Sequence, residues 1–171
     1  MHKLVAAVIV IGISHHSLIA QEETIEPPKE MDGAGLEAII QEVSDEGSVT
    51  INQTVIEFSI QGAVSYCIYD EAHNRMRIVS PITNYSQIPE AGKDLMMASN
   101  FHAALDGRYC VSGDILYAAF IHPLSTLERG EVLSALYQVT SLHLTFGNTY
   151  SSGLLSFGGE AEEEENDDEP I

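Results

Sequence analysis

The chain has 171 residues, 26 of them acidic against 7 basic, for a formal net charge of −19 with 44% hydrophobic residues. That balance lacks the cationic footprint of nucleic-acid binding and would be repelled by anionic membranes, so neither partner is expected. With the two ends set aside, about 130 residues remain, enough for one domain with a core of its own.

The chain opens "MHKLVAAVIVIGISHHSLIAQEE": one Lys, an apolar run from Leu4 to Ile13, and a small-residue exit at Ala20. The run is shorter than the roughly 20 residues that span a bilayer. A basic start, a short apolar centre and a terminal Ala describe a secretory signal cut after Ala20, and so an exported protein, periplasmic or secreted. An uncleaved anchor or a buried helix is the competing reading. "QEETIEPPKEM" follows, with Pro27–Pro28 and charges marking a flexible segment. At the other end, "GGEAEEEENDDEPI" carries eight carboxylates and no base. Such a block repels itself and is expected to be a disordered, solubilising tail. Weak Ca²⁺ collection or docking to a basic partner are its functional alternatives, though it lacks the ligand pattern and central Gly of an EF-hand loop.

Between the ends, "DGAGLEAIIQEV" places Leu36, Ile39, Ile40 and Val43 at helical spacing behind an Asp32 cap. "DEGS" ends that helix. Ile56, Phe58 and Ile60 then alternate with Glu57 and Ser59. After a Gln61–Gly62 turn, Val64, Tyr66 and Ile68 are read as continuing the apolar face, opposite Ser65 and Cys67. "DEAHN" turns into a third strand with Met76 and Ile78 against Arg75 and Arg77, giving an antiparallel meander with one apolar face. Pro81 and Pro89 bracket a loop. A second helix starts near Pro89 and carries Ala91, Leu95, Ala98, His102 and Leu105 as its stripe. "DGRYCVSGDILYAAFIHP" supplies two more strands, joined at Ser112–Gly113–Asp114. Ser125 and Glu128 read as the S-x-x-E capping box of a third helix, with Val132, Leu136, Val139, His143 and Phe146 buried. The expected fold is α+β: about five antiparallel strands and three helices in the order α-β-β-β-α-β-β-α.

That order, the Gly62 hairpin inside "VIEFSIQGAVSYCIYD", the strand "NRMRIVSPI" and the run "NFHAALDGRYCV" before "GDILYAAFIHPLS" resemble the YbjN-like family, which shares the fold of the type III secretion chaperones. Asn100 and Gly107–Arg108–Tyr109 look like the family's helix Asn and following GRFY-like sequence. The resemblance covers about residues 33 to 147. It implies a bacterial, non-enzymatic, protein-binding module, often a homodimer, and for the chaperones one that holds an extended client. An export signal departs from chaperones that work in the cytosol, which leaves generic protein binding as the implied role. The organisation expected is a signal peptide at 1–20, a flexible segment at 21–32, a YbjN-like domain at 33–150 and the acidic tail at 151–171.

The stretch from Asn100 to Ser125 crowds two His, two Asp, one Arg, two Tyr and one Cys together. His102 is assigned to packing on the second helix, Asp106 and Asp114 to turns whose backbone donors they satisfy, and Arg108 to solvent with Tyr109 inward. His122 ends a strand. Cys110 shares a face with Arg108, which could lower its pKa, but nucleophilic catalysis also needs an oriented His. No Gly-x-Ser-x-Gly, His-Glu-x-x-His, phosphate loop or zinc spacing occurs, so no catalytic, cofactor or metal residue is nominated and no cofactor is expected. A Cys67–Cys110 disulfide requires neighbouring strands in register and is not favoured. Asn52 and Asn84 match glycosylation acceptors that a bacterial source would leave unused. The run Ile115–Ile121 is apolar on both faces and needs cover on both sides, from helices, a second copy or a client. The reading is an exported, non-enzymatic protein-binding module; a small thiol- or His-dependent hydrolase and an acidic-tail cation binder are the alternatives.

Overall fold

The computed structural model describes residues 30–153; the expected signal peptide, most of the segment before Asp32 and the acidic tail lie outside the described residues. Three helices accompany one six-stranded antiparallel sheet: α1 (Gly33–Val43), β1 (Thr50–Asn52), β2 (Val55–Ile60), β3 (Ala63–Asp70), β4 (Arg75–Asn84), α2 (Glu90–His102), β5 (Arg108–Ser112), β6 (Ile115–His122) and α3 (Arg129–Thr145). The spatial order is β1-β2-β3-β4-β6-β5. The α+β class and the element order are those read from the sequence, with one strand added. β1 is fully exposed along its three residues, so it carries no burial pattern to betray it.

Helix α1 forms where expected, with the Asp32 carboxylate accepting from the Gly35 N–H at 2.8 Å. It leaves into a loop held by Asp45. That carboxylate accepts from the Gln61 N–H (3.0 Å), the Gly62 N–H (2.9 Å) and the Ser59 hydroxyl (2.8 Å), bonds that hold its pKa below the usual carboxylate range. Helix α3 is capped three residues later than the sequence suggests: Glu128 and Glu131 make the capping box, and Ser125 instead donates its N–H to the Asn74 side chain at 2.8 Å.

Gln61 (φ 53°) and Gly62 (φ 80°) both adopt left-handed backbone, as a two-residue type I′ hairpin demands. The tight turn pairs Ile60 with Ala63, Phe58 with Ser65 and Ile56 with Cys67. Directly opposed residues share a face, so Ala63, Ser65 and Cys67 join the core, and Val64, Tyr66 and Ile68 point outward. The face assigned to β3 from the sequence is therefore inverted. Cys67 is buried inside the apolar set, and burial pushes its thiol pKa up to about 12.

Strand β4 continues through Pro81 to Asn84, with a register shift between Pro81 and Thr83, where the sequence suggests a loop. A bulge is one of the few places a sheet accepts proline. The β3–β4 register ends at Tyr66–Val79, and its continuation sets Val64 opposite Pro81, which has no N–H to give. The buried Ser80 hydroxyl supplies the missing donor, bonding the Val64 carbonyl at 2.6 Å. Its one proton is thereby committed, so the 2.8 Å contact to His143 Nδ1 has the imidazole donating to Ser80. Burial lowers the His143 pKa and favours that neutral ring.

The core lies between α1 and α3 and the inner sheet face, centred on Leu36, Ile40, Phe58, Ile78, Leu116 and Val139. The fold runs past the boundary expected at residue 150: Ser152 is fully buried, and its N–H and hydroxyl both donate to the Ala103 carbonyl at 3.1 Å.

Replacing Ser80 by Ala is expected to cost about 1–3 kcal/mol, the penalty of an unsatisfied buried acceptor. In a Pro81→Ala background, which restores a backbone N–H, the same change should cost clearly less. Equal costs in both backgrounds, read by urea denaturation, would show that the hydroxyl does not stand in for the proline.

Candidate protein-binding surface

The crowded stretch from Asn100 to Ser125 disperses over four elements. His102 is exposed on α2, its ring edge-on to Phe101 at 4.8 Å, rather than packed within the helix's buried stripe. The buried α2 residues are Met96 and Ser99, while Leu95, Met97 and Phe101 face solvent. Polar partners decide that rotation: Ser99 donates its hydroxyl to the Tyr150 carbonyl, and Asn100 must reach β5. The backbone then turns at Leu105, in a left-handed conformation (φ 54°) that ends the helical path before it.

Asn100 has a task its sequence position does not announce. β5 lies at one edge of the sheet. The Asn100 Oδ1 accepts from the Tyr109 N–H at 2.8 Å, and its Nδ2 donates to the Tyr109 carbonyl at 3.1 Å. One amide thus imitates a neighbouring strand and blocks that stretch of open ladder. Tyr109 itself points inward, its hydroxyl donating to the Leu142 carbonyl at 2.8 Å, with Arg108 outward as expected.

The Asp106 turn is satisfied from α3 and not by its own carboxylate. Buried Gln138 accepts from the N–H groups of Asp106 (2.9 Å) and Gly107 (2.8 Å). Asp114 reaches across to Ser86, accepting from its N–H at 2.9 Å and its hydroxyl at 2.7 Å, which lowers its pKa. His122 contacts the Pro123 carbonyl through Nδ1 at 2.8 Å and stacks on Phe120. It borders a cleft of 390 Å³ at the end of β6, lined also by Asp106, Arg108, Ile121 and Glu131.

Cys110 lies on the outer face of β5. Partial burial raises its thiol pKa, and the nearby Arg77 charge only partly opposes that. Both cysteines are free thiols. Cys67 points inward on β3, and two strands separate β3 from β5, so about 14 Å of sheet lies between the two positions, twice the reach of a disulfide. The Ser80–His143 pair is no nucleophile either, because the buried hydroxyl spends its proton on backbone. Among the described residues no group of three or more His, Cys, Asp or Glu could hold a metal ion, and no helix is long and apolar enough to cross a membrane.

What the fold leaves open is the outer face of the sheet. The register aligns Val55, Ile68, Arg77 and Ile121 across it in one row, and Glu57, Tyr66, Val79, Ala119 and Arg108 in the next. Ile68 is 37% exposed, Val64 41% and Ile121 61%. Helix α3 packs against β3, β4, β5 and β6 and α1 against β2, and the core they build takes the inward residues of those strands. On β6, Leu116, Ala118 and Phe120 face the core; on the outer side Tyr117 is half-buried, Ala119 is buried among its neighbours and Ile121 faces solvent. Arg75, Arg77 and Arg108 gather at one end of this face, since β4 and β5 both begin there.

No family model matches the chain, and no curated protein matches it. Among solved structures, it is similar to a chain in the structure of the HopA1–SchA chaperone–effector complex, with a TM-score of 0.50 and 10% identity, over 65% of this chain and 88% of that one. That likeness supports the chaperone-like fold, with its helices on one side of an antiparallel sheet.

A neutral thiol reagent applied to the native protein at neutral pH should modify Cys110 alone, and more slowly than a free thiol, because the raised pKa lowers the thiolate fraction. Modification of Cys67 at a comparable rate, seen by peptide mass spectrometry, would contradict its buried position.

Proposed function

We propose that the protein is a non-enzymatic, chaperone-like binding module that receives an apolar segment of another polypeptide across the outer sheet face. The observation that carries this reading is the row of exposed apolar residues on a face that α1 and α3 leave bare, with Ile68 and Ile121 flanking Arg77. Scattered exposed apolar residues are ordinary, but Val64, Ile68 and Ile121 gathered around Arg77 on one face of a rigid sheet suit docking. The YbjN-like pattern in the sequence and the chaperone-like fold point to the same role. The leader-like first twenty residues support action outside the cytoplasm, in a periplasmic or secreted setting.

Photo-crosslinking residues placed at Ile68 and Ile121 should join the protein, in its own cell envelope, to a discrete partner polypeptide. Ile68→Asp and Ile121→Asp should abolish that product and reduce binding of a hydrophobic dye, while shifting stability by no more than about 0.5 kcal/mol, as surface substitutions do. Loss of neither product nor dye binding would remove the reading.

A second reading, a homodimer, is favoured by α2. Met97 and Phe101, one helical turn apart, form an exposed apolar pair, with Phe101 79% accessible. If two copies pair through it, light scattering after size exclusion should give twice the chain mass, and Phe101→Glu should return the monomer. A monomeric native protein at high concentration ends this reading and leaves the sheet-face proposal standing.

A further inference from the structure

We propose that the outer sheet face is occupied in cis by this chain's own acidic C-terminal segment, residues 154–171, docked on the arginine end of the face. The inference rests on reading that face as a binding surface and names what regulates it.

Charge supplies the first argument. Five Lys and Arg residues occur among the described residues. Two of them are matched on the surface, Lys93 with Glu90 at 2.7 Å and Arg129 with Glu42 at 2.6 Å. The other three, Arg75, Arg77 and Arg108, are the ones at a single end of the outer face. Arg75 donates to the Asn74 carbonyl and Arg108 to the carbonyls of Leu105 and Gly107, so none of the three has a carboxylate partner among the described residues. Asp70 stands opposite Arg75 in the register and accepts a hydrogen bond from His73 without forming an ion pair with Arg75, and Glu57 lies across the sheet on β2. Arg108 shares its cleft with Asp106 and Glu131, so in a chain of net charge −19 the cationic patch facing solvent is centred on Arg77 and Arg75.

Connectivity supplies the second. Gly153 lies between Leu105, whose carbonyl holds the Arg108 guanidinium, and Tyr137 of α3, so the chain leaves the fold at the arginine end of the sheet but on its helix side, and rounds the β5 edge to reach the outer face. Reach and order supply the third. Leu154, Leu155 and Phe157 come first, and the carboxylates begin at Glu160. Seven extended residues span about 23 Å, whereas β5 and β4 are two strand spacings apart, about 10 Å. The apolar residues can lie over Ile121 while the acidic run meets Arg77 and Arg75. No other sequence in the chain pairs apolar residues with so dense an acidic block.

Docked this way, the segment shields the face from weak or non-specific partners and yields to a client that binds it better. The test uses the full chain with Arg77→Lys, which keeps the charge and adds an amine. A zero-length carbodiimide should join the amine introduced at position 77 to carboxylates between Glu160 and Glu169, within one molecule. The native Lys93–Glu90 pair is the internal control for coupling. Mixing isotopically labelled and unlabelled chains reports whether links stay within a molecule. The position-77 product should be lost in about 1 M salt, where the screening length falls to about 3 Å. The proposal is overturned if Lys93–Glu90 couples and the introduced amine does not, if Lys29 couples to the segment as readily as the introduced amine, or if the links run mainly between chains. No client takes part, so this result and the photo-crosslinking result can fail independently.

Discussion

The pairing imposed by a two-residue turn decides what this protein shows to solvent. A strand has only two faces, and a shift of one residue exchanges them completely. Gln61 and Gly62, both left-handed, join Ile60 directly to Ala63 and leave no freedom in the register that follows. Small residues and a thiol are drawn into the core beneath α3, and Val64, Tyr66 and Ile68 are turned out. A three-residue loop would have buried those apolar residues and closed the face. The exposed apolar outer face is therefore a consequence of turn geometry, not of any excess of hydrophobic residues in the sequence.

Side chains from the helices complete the sheet where its own ladder fails, and this couples the two layers. Pro81 removes a donor from a central strand; Ser80 replaces it and is itself held by His143 of α3. β5 ends the sheet with an open edge; Asn100 of α2 occupies it at Tyr109. Gln138 of α3 takes the two N–H groups of the turn that launches β5. Each is a buried or half-buried polar bond whose loss leaves a partner unsatisfied, at about 1–3 kcal/mol apiece. In the crowded segment around residues 100–125, Asn100, Arg108, Tyr109 and His122 direct polar atoms to backbone groups, while Asp114 bonds Ser86 and Cys110 is an exposed thiol.

The legible part of the sequence is whatever periodicity controls. Helix α1 with its Asp32 cap, the buried stripe of α3, the hairpin of β5 and β6 and the class of fold all follow from spacing and turn residues. The misreadings share a cause. On β3 apolar character points to the wrong face, although the Gln61–Gly62 turn already implies the opposite pairing. On α2 apolar spacing points to Leu95 and His102, but Met96, Ser99 and Asn100 face inward because they have tertiary hydrogen bonds and a groove to fill. β1 carries no pattern because nothing buries it. The Ser125 box loses to Glu128–Glu131 three residues on, because the Ser125 N–H is taken by the Asn74 side chain. Ser80 carries no warning except its neighbour, a proline in a strand. The open outer face is foreshadowed by the two-sided apolar run at Ile115–Ile121, which needs a second cover.

Magnitudes indicate how that cover behaves. Fully burying one aliphatic side chain is worth about 1.5–3 kcal/mol, and Val64, Ile68 and Ile121 retain roughly half of their surface to lose. Together they offer about 3 kcal/mol, less than the roughly 4 kcal/mol of a millimolar complex. Exposed ion pairs add only about 0–1 kcal/mol each and are screened by salt. A separate segment with these contacts alone would hardly bind. A tethered one meets an effective concentration in the millimolar range, where such contacts suffice to fill the face part of the time. Weakness in trans and the proposed occupancy in cis then follow from the same magnitudes. A client that displaces the tether has to add something the acidic segment lacks, and the fold offers two such additions at the same end of the sheet: the cleft beneath Ile121 and Phe120, and the backbone of β6 beyond the point where β5 begins to pair with it at Arg108.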